Sequence, residues 1–364
     1  MGKDNLKLIV MDNCKYLGIE VNEHLKLIRR NSDGFIVKAE NPTFSNSEGK
    51  AHIQENIEGT DLFILSDIGN HGITYTYYGE KNRKSFNDNF IDTVSMIDAC
   101  ANEPNRIWLV TPLLYASRQH RDVERESLNA KLALKFLQSM GTDGIITFDA
   151  HDPTVANDFK NMSFHNIYPT NIILNHFERV DNSDVCDLLI LSPDKGAVER
   201  TSRFAKELNA NLGIFDKKRD LSKVVNGTCQ IQSHSYIGTT PIKDKNVIIV
   251  DDMIASGKSI VDVAFFSKNN GARKTSVFAT FGLFSNGIES IELFNRAYEE
   301  NIIDKVYITN LSYISPEIKM LDWVEIVDCS YSIAETISLI HDKDKGEIPN
   351  STQKRVPTKK LIRI

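Results

Sequence analysis

Short apolar runs alternate with amphipathic segments along most of the chain from Asp61 onward. The apolar runs have the length and the β-branched composition of buried strands, and the segments between them keep a helical spacing. This alternation is typical of βαβ units, which form parallel sheets flanked by helices. The strands that the pattern predicts are residues 61–65, 106–110, 144–148, 187–191, 247–250, 276–280 and 305–309.

Two of the intervening segments show the helical spacing most clearly. Apolar residues recur at helical intervals over residues 128–140 and stop at Gly141, and a second such series covers residues 198–208. Glycine accepts the left-handed conformation that often follows the last helical turn, so Gly141 indicates a helix end. Within the first series we interpret Phe136 and Met140 as core residues.

Predicted strands and helices alternate in the same way in the two halves of the chain, although the two halves show no sequence repetition. We predict one domain over residues 1–168, a second over 169–345, and a charged tail over 346–364. Two segments have the appearance of insertions. Residues 69–87 are rich in Gly, Tyr and Asn, and residues 226–241 are rich in Gly, Ser and Thr, so we predict loops or hairpins at both.

The composition narrows the class of protein without identifying it. The chain has 364 residues, of which 41% are hydrophobic and 25% charged, as in a globular protein with two cores. A net charge of -6 argues against nucleic acid or a membrane as partner, and no apolar run is long enough to span a bilayer.

The N-terminus shows no signal-peptide pattern, so we expect a cytoplasmic protein. Five scattered cysteines without a C-x-x-C pair are expected to be reduced and structural.

The most informative stretch is residues 246–259, NVIIVDDMIASGKS. An apolar run stops at Asp251 and Asp252, and a small polar turn follows before helical spacing begins. At the carboxyl edge of a parallel sheet, such a turn can hold a phosphate with backbone N–H groups. The ending Gly257-Lys-Ser resembles a nucleotide P-loop, but Asp252 stands where that motif needs glycine. Taken alone, the stretch also suits an acidic turn that binds no ligand.

Other polar residues that suit chemistry follow predicted strand ends. They are found in residues 149–151, 192–196 and 216–219. Doubly wound sheets bind their ligands at this edge, so these residues are candidates for the same site as Asp251 and Asp252.

Further motifs extend over residues 42–340 and identify a family by their order and spacing. These motifs are FSNSE at 44–48, ENIEG at 55–59, NDN at 87–89, YASRQHR at 115–121, DAH at 149–151, SPDKG at 192–196 and KKR at 217–219. The stretch from Asp251 to Ser259 resembles a phosphoribosyl-pyrophosphate loop, and the full series of motifs resembles the ribose-phosphate pyrophosphokinase family.

The resemblance implies an α/β fold of two tandem type I phosphoribosyltransferase-type domains, each with a mostly parallel sheet flanked by helices. It implies transfer of the β,γ-pyrophosphoryl group of Mg-ATP to the C1 hydroxyl of ribose 5-phosphate, which yields phosphoribosyl pyrophosphate and AMP. The implied cofactor is Mg²⁺, and the implied assembly is a homo-oligomer built from dimers, with a hexamer as one form.

The resemblance also assigns roles to individual residues. Lys217 and Arg219 are implied as catalytic cations on a loop that closes over the triphosphate, although in other proteins a lysine and an arginine on a loop are more often solvated surface charges.

The implied ATP-binding residues are Phe44, Asn46, Ser47, Glu48, Arg118 and Gln119, with residues 44–48 acting from a neighbouring subunit. The implied ribose 5-phosphate residues are Arg219, Asp251, Asp252, Ala255, Ser256, Gly257, Lys258 and Ser259. The implied metal ligands are His151, Asp194 and Asp149, with a core histidine as the alternative for His151.

Several positions depart from the family pattern. Ala255 replaces an acid, Lys258 replaces a glycine, and Asn46 and Ser47 stand in place of Asp-Gly. Two other functions therefore stay open. One is a synthetase-associated regulatory subunit with weak catalysis, which Ala255 favours. The other is a nucleobase phosphoribosyltransferase, which residues 251–259 alone would permit.

Overall fold

A computed structural model describes residues 4–101, 103–119, 125–181, 187–225 and 228–342, without the side chains of 217–225 and 228–234. The helices are α1 Lys15–Arg29, α2 Phe86–Asp98, α3 Asn129–Ser139, α4 Thr170–Val180, α5 Val198–Leu208, α6 Lys258–Asn269, α7 Ile288–Glu299, α8 Pro316–Lys319 and α9 Ser330–His341. The strands are β1 Leu6–Val10, β2 Ala39–Glu40, β3 His52–Ile53, β4 Asp61–Leu65, β5 Thr74–Tyr77, β6 Glu80–Arg83, β7 Arg106–Val110, β8 Gly144–Phe148, β9 Ser163–Ile167, β10 Leu188–Ser192, β11 Asn211–Val225, β12 Thr228–Ile237, β13 Asn246–Ile254, β14 Lys274–Gly282, β15 Lys305–Thr309 and β16 Val324–Val327.

The described residues form two compact units. The first unit contains residues 4–169, 310–315 and 328–342, and the second contains residues 170–309 and 316–327. The chain thus passes to the second unit immediately after residue 169 and later returns twice to complete the first. None of the described helices is long and apolar enough to cross a membrane. The predicted tail, 346–364, lies outside the described residues, and the cytoplasmic location stays a prediction.

The first unit is built on a five-stranded parallel sheet in the order β1-β4-β7-β8-β9. Strands β4 and β8 are buried at every position, which explains their continuous apolar sequences. Helix α9 packs against α1 in this unit. The Arg29 guanidinium fixes that contact by donating to Ser338 Oγ and Asp342 Oδ1, both at 2.9 Å.

The second unit is built on a seven-stranded sheet in the order β12-β11-β10-β13-β14-β15-β16. All neighbouring pairs are parallel except β11 and β12. Because β10 and β13 are neighbours, the residues that follow both strands meet at one edge of this sheet. The carboxyl edge therefore collects segments that are about sixty residues apart in the sequence.

The predicted insertions are both hairpins in the described residues. Strands β5 and β6 form an antiparallel pair within residues 69–87. Strand β12 occupies much of residues 226–241 and pairs with β11, while residues 226 and 227 lie outside the description. Residues 216–219 were expected after a strand end, but they lie within β11. That strand runs on because, beyond Ile214, pairing with β12 continues where pairing with β10 has stopped.

The interpretation of Phe136 as a core residue is wrong. Its side chain is 40% exposed, whereas Met140 is partly buried against the core of the first unit. Phe136 lines an open, mostly apolar pocket of about 650 Å³ between α2 and α3, together with Phe90 and Leu132. An amphipathic spacing identifies the apolar face of a helix, but it does not show whether another element covers all of that face.

A buried carboxylate ties the returning segment 310–315 to the sheet of the first unit. Asp67, just beyond β4, is fully buried and accepts hydrogen bonds from Tyr16 Oη at 2.9 Å and Gly69 N at 2.9 Å. It also accepts from Ser312 Oγ at 3.1 Å and Tyr313 N at 2.7 Å. Burial raises the pKa of Asp67 to about 6, even though these donors favour the charged form.

This pKa predicts a measurable pH dependence of stability. Between the unfolded pKa of 3.8 and the folded pKa of about 6, the native state holds the proton more tightly, so stability falls as pH rises. Asp67→Asn removes this titration. We expect the free energy of unfolding of the wild type, relative to the variant, to fall by about 2 kcal/mol between pH 4 and pH 7. Urea unfolding followed by tryptophan fluorescence measures this difference, since Trp108 lies in the first unit.

Asp33→Asn, at an exposed position of the first unit, controls for the loss of one carboxyl group. A difference between wild type and Asp67→Asn that stays constant from pH 4 to pH 7 would contradict the raised pKa of Asp67.

Candidate functional site

The two adjacent acids lie inside a strand. Strand β13 was expected to end before Asp251, but it continues through both acids to Ile254 because pairing with β14 continues along them. On the other side, pairing with β10 stops at Ile249. Asp251 and Asp252 therefore extend past the end of β10 while the backbone keeps them in a fixed, extended conformation.

The electrostatic environment of the acid pair comes from four side chains. Asp252 is 3% exposed, and its backbone N donates to Asp251 Oδ1 at 2.9 Å. Burial and the charge of Asp252 raise the pKa of Asp251 well above its usual range, and the charge of Asp194 acts in the same direction. The buried Arg200 acts in the opposite direction, with its Nη2 3.9 Å from Asp252 Oδ2. Such a site favours hydrogen-bond donors or cations.

Asp194 belongs to the same edge of the second unit. It follows β10, and its Oδ1 accepts hydrogen bonds from Gly196 N at 2.9 Å and Ala197 N at 3.1 Å. These bonds hold the side chain at the start of α5. The sequence places Asp194 and the acid pair in separate motifs, and parallel pairing of β10 with β13 brings the motifs together.

The turn between β13 and α6 requires glycine at position 257. Gly257 has φ +79°, and a Cβ atom there would lie 2.2 Å from Phe294 Cε2. Ser256 and Lys258 on either side are exposed, while Ala255 and Ser259 are half-buried. The turn therefore presents its backbone at the N-terminus of a twelve-residue helix, where an anion is favoured.

A second group of candidate residues lies on the first unit. Asp149 and His151 follow β8, and Arg118 and Gln119 follow β7, which is the neighbouring parallel strand. Asp149 is 2% exposed, whereas His151, Arg118 and Gln119 are exposed. His151 is thus a surface residue and does not fit the alternative of a core histidine.

The segment 44–48 forms a tight turn between β2 and β3. Phe44 N donates to Glu48 O at 2.8 Å, and Ser47 N donates to Phe44 O at 2.9 Å. Ser47 has φ +72°, a conformation that favours glycine, at the position where the family pattern has glycine. Ser47 therefore adopts a backbone conformation that glycine reaches more easily. Phe44 itself is 50% exposed.

The base of this turn rests on a buried ion pair that the sequence analysis missed. Lys84 and Asp92 are 5% and 8% exposed at their side chains and contact each other through Nζ and Oδ2. Asn41 Nδ2 also donates to Asp92 Oδ2, at 3.3 Å. A Cβ atom on Gly49 would lie 2.7 Å from Asp92 Oδ1, so the backbone of the turn lies close against this carboxylate.

A sequence signal existed for Arg200, a second buried charge that the sequence analysis missed. Arg200 lies on the buried face of α5 with Phe204 and Leu208, whereas the face of α2 that carries Asp92 also carries the polar Asn89 and Thr93 and gives no such signal. A charged residue at a position of the apolar series indicates a buried partner elsewhere in the fold.

The candidate metal ligands are divided between the two units. Within the described ranges, no three His, Cys, Asp or Glu side chains come together in a way that could hold a metal ion. Asp149 and His151 belong to the first unit, and Asp194 belongs to the second. Magnesium keeps several waters and commonly binds one or two carboxylates together with substrate phosphates. The roles of Asp149, His151 and Asp194 as metal ligands stay predictions.

The two candidate catalytic cations are only partly described. The backbones of Lys217 and Arg219 belong to β11, opposite His234 and Ile231 of β12. Their side chains lie outside the described residues, so their roles stay predictions.

Comparisons with known proteins cover nearly the whole chain. Residues 6–141 match the model of the N-terminal domain of ribose phosphate pyrophosphokinase, residues 170–285 a phosphoribosyl transferase domain, and residues 237–347 a phosphoribosyl synthetase-associated domain. The ribose-phosphate pyrophosphokinase of Haemophilus ducreyi is 30% identical over 326 residues, which cover 88% of this chain and 93% of the relative. The ribose-phosphate pyrophosphokinase of Chlorobaculum tepidum is 31% identical over 307 residues, or 84% of each chain.

A solved structure shares the fold. The phosphoribosylpyrophosphate synthetase from Mycobacterium smegmatis aligns with a TM-score of 0.76 and 21% identity, covering 93% of this chain and 99% of that chain. The predicted fold class is confirmed by this match and by the matching domain models.

The geometry of the turn at Gly257 predicts the effect of a single methyl group. Gly257→Ala adds a left-handed strain and a clash with Phe294, so we expect the free energy of unfolding to fall by about 3 kcal/mol. Gly59→Ala is the matched control, because Gly59 has φ +69° with nothing within 4 Å of a Cβ atom. It should cost about 1 kcal/mol, the strain alone. Urea unfolding of both variants checks this, and equal losses would contradict the predicted clash.

Proposed function

The chain belongs to the ribose-phosphate pyrophosphokinase family, and we propose that it transfers the β,γ-pyrophosphoryl group of Mg-ATP to the C1 hydroxyl of ribose 5-phosphate. The products are phosphoribosyl pyrophosphate and AMP. The observation that carries this proposal is the junction of β13 and α6, where two carboxylates adjoin a glycine turn at a helix N-terminus. This combination provides acceptors for sugar hydroxyls beside donors for a phosphate.

The sugar phosphate binds at this junction. Asp251 and Asp252 accept hydrogen bonds from the ribose hydroxyls, which are donors and so relieve the repulsion between the two acids. The backbone N–H groups of residues 255–259, with the hydroxyls of Ser256 and Ser259, bind the 5-phosphate. Lys258 is exposed at the first position of α6, where its ammonium adds a positive charge near the phosphate.

The nucleotide binds with its metal ion near the carboxyl edge of the first unit's sheet. Arg118 and Gln119 contact ATP, and Phe44, Asn46, Ser47 and Glu48 contact the adenine from a neighbouring subunit. The half-exposed ring of Phe44 suits that role, since part of its surface is open to a partner. This arrangement requires a homo-oligomer built from dimers.

We assign magnesium as the metal, with Asp149, His151 and Asp194 as the residues that would hold it. When bound, magnesium neutralises charge on the triphosphate oxygens. Transfer of a pyrophosphoryl group depends on positioning and positive charge more than on a covalent nucleophile. Lys217 and Arg219 supply further positive charge, and Arg219 also contacts ribose 5-phosphate.

Different observations bear on the two alternative functions, a regulatory subunit and a nucleobase phosphoribosyltransferase. A regulatory subunit is favoured by Ala255, because this position carries an acid in the family pattern. The acid pair beside the glycine turn supports catalysis, because it places acceptors for sugar hydroxyls next to donors for a phosphate. A nucleobase phosphoribosyltransferase is disfavoured, because the matched relatives are ribose-phosphate pyrophosphokinases over nearly their full length.

The proposed reaction has a distinctive product. We expect purified protein with Mg-ATP to form AMP only when ribose 5-phosphate is present, and to form no ADP. The bond that breaks is the one between the β phosphorus and the oxygen that bridges it to the α phosphorus, and this oxygen leaves with AMP. Chromatography of the nucleotides measures this outcome. Absence of AMP over a range of magnesium and phosphate concentrations would contradict the enzymatic proposal and favour the regulatory subunit.

The catalytic role of Lys217 is tested by truncation. Lys217→Ala should lower kcat by about a thousandfold, because it removes a charge that stabilises the transition state. Lys206→Ala, at an exposed position on α5, is the matched control and should keep wild-type turnover. Steady-state kinetics and thermal unfolding should be measured on both variants. Wild-type turnover in folded Lys217→Ala would remove the assigned role.

A further inference from the structure

The carbonyl groups of the turn between β13 and α6 bind to a segment at the start of α7. Phe284 N donates to Ile254 O at 2.8 Å, and Ser285 N donates to Ala255 O at 2.9 Å. Ser290 Oγ lies 3.1 Å from Ser256 O. Three consecutive carbonyls of the turn are therefore oriented by one segment, residues 284–290.

The orientation of these carbonyls determines the orientation of the N–H groups that follow them. A trans peptide is planar, and its C=O and N–H bonds point in opposite directions. When the carbonyls of Ile254, Ala255 and Ser256 point toward residues 284–290, the N–H groups of residues 255, 256 and 257 point away from that segment. The turn therefore presents a row of N–H donors on its opposite side, as a phosphate site requires.

Ser290 differs from the other two donors because it acts through its side chain. It is 1% exposed, lies in the first turn of α7, and its hydroxyl also reaches Ala255 O at 3.4 Å. Without this hydroxyl, the Ser256 carbonyl would lose its donor, and the peptide between Ser256 and Gly257 would be free to rotate. Rotation is easy at this position because Gly257 has no Cβ to restrict it.

We propose that Ser290 is a positioning residue for the 5-phosphate of the sugar substrate. It holds the peptide between Ser256 and Gly257 so that the Gly257 N–H faces the phosphate. This inference rests on the proposed function of the turn, and it assigns to α7 a part in the recognition of ribose 5-phosphate. Ser290 itself does not touch the substrate, so its substitution changes affinity for the phosphate group and leaves the nucleotide site unaffected.

The test compares two buried serines of the second unit. Ser290→Ala removes the donor to the turn, and Ser267→Ala removes a hydroxyl of equal burial whose Oγ lies 2.8 Å from Val263 O within α6. Isothermal titration calorimetry without ATP gives the Kd for ribose 5-phosphate and for inorganic phosphate. Kinetics give the KM for ribose 5-phosphate and for Mg-ATP.

We expect Ser290→Ala to raise the Kd for inorganic phosphate and for ribose 5-phosphate by the same factor, about tenfold, while the KM for Mg-ATP is unchanged. Ser267→Ala should leave both affinities unchanged. Ser290→Thr keeps the hydroxyl and should restore binding. If Ser290→Ala fails to fold, Ser290→Cys provides a weaker donor of similar shape and should raise both Kd values several-fold.

The outcomes separate this inference from the function on which it rests. If the wild type binds ribose 5-phosphate but Ser290→Ala binds it equally well, the positioning role is wrong and the proposed function stands. If Ser267→Ala weakens phosphate binding as much as Ser290→Ala, the effect is a general one of buried serines, and the positioning role is again wrong. If the wild type binds neither ribose 5-phosphate nor phosphate, the proposed function itself fails.

Discussion

Parallel pairing of buried strands determines where the candidate site residues lie. In a parallel sheet all carboxyl ends share one edge, so residues that follow neighbouring strands become neighbours whatever their distance in the sequence. The pairing of β10 with β13 brings Asp194 to the acid pair, and the pairing of β7 with β8 brings Arg118 to the edge that carries Asp149. The loops carry the chemical groups, and the register of the strands sets their separation.

Each unit buries a cation beside one of the candidate ligand-binding segments. Removing one partner of a buried ion pair typically costs several kcal/mol, so such pairs occur where an orientation must be fixed. The Lys84–Asp92 pair supports the turn at residues 44–48, and Arg200 faces the acid pair on β13. In each case a buried cation holds in place the backbone or the carboxylates that we assign to ligand binding.

The sequence allowed the prediction of features that depend on local patterns. Strands β4, β7, β8 and β15 agree with the expected bounds at every residue, and the family inferred from the motifs is confirmed by relatives at 30–31% identity. The extension of β11 and β13 could not be predicted, because it depends on pairing with strands that are distant in the sequence. The exposure of Phe136 and the four donors to Asp67 depend on long-range packing in the same way.

The return of the chain to the first unit has a consequence for the order of folding during synthesis. The sheet of the first unit is complete by residue 167, but α1 lies against α9, which ends at His341. A ribosome that has produced the first sheet must still produce the whole second unit before α9 can cover α1 and Arg29 can reach Asp342. Until then the surface of α1 that contacts α9 stays uncovered, and the first unit reaches its final fold only after residue 342 has been made.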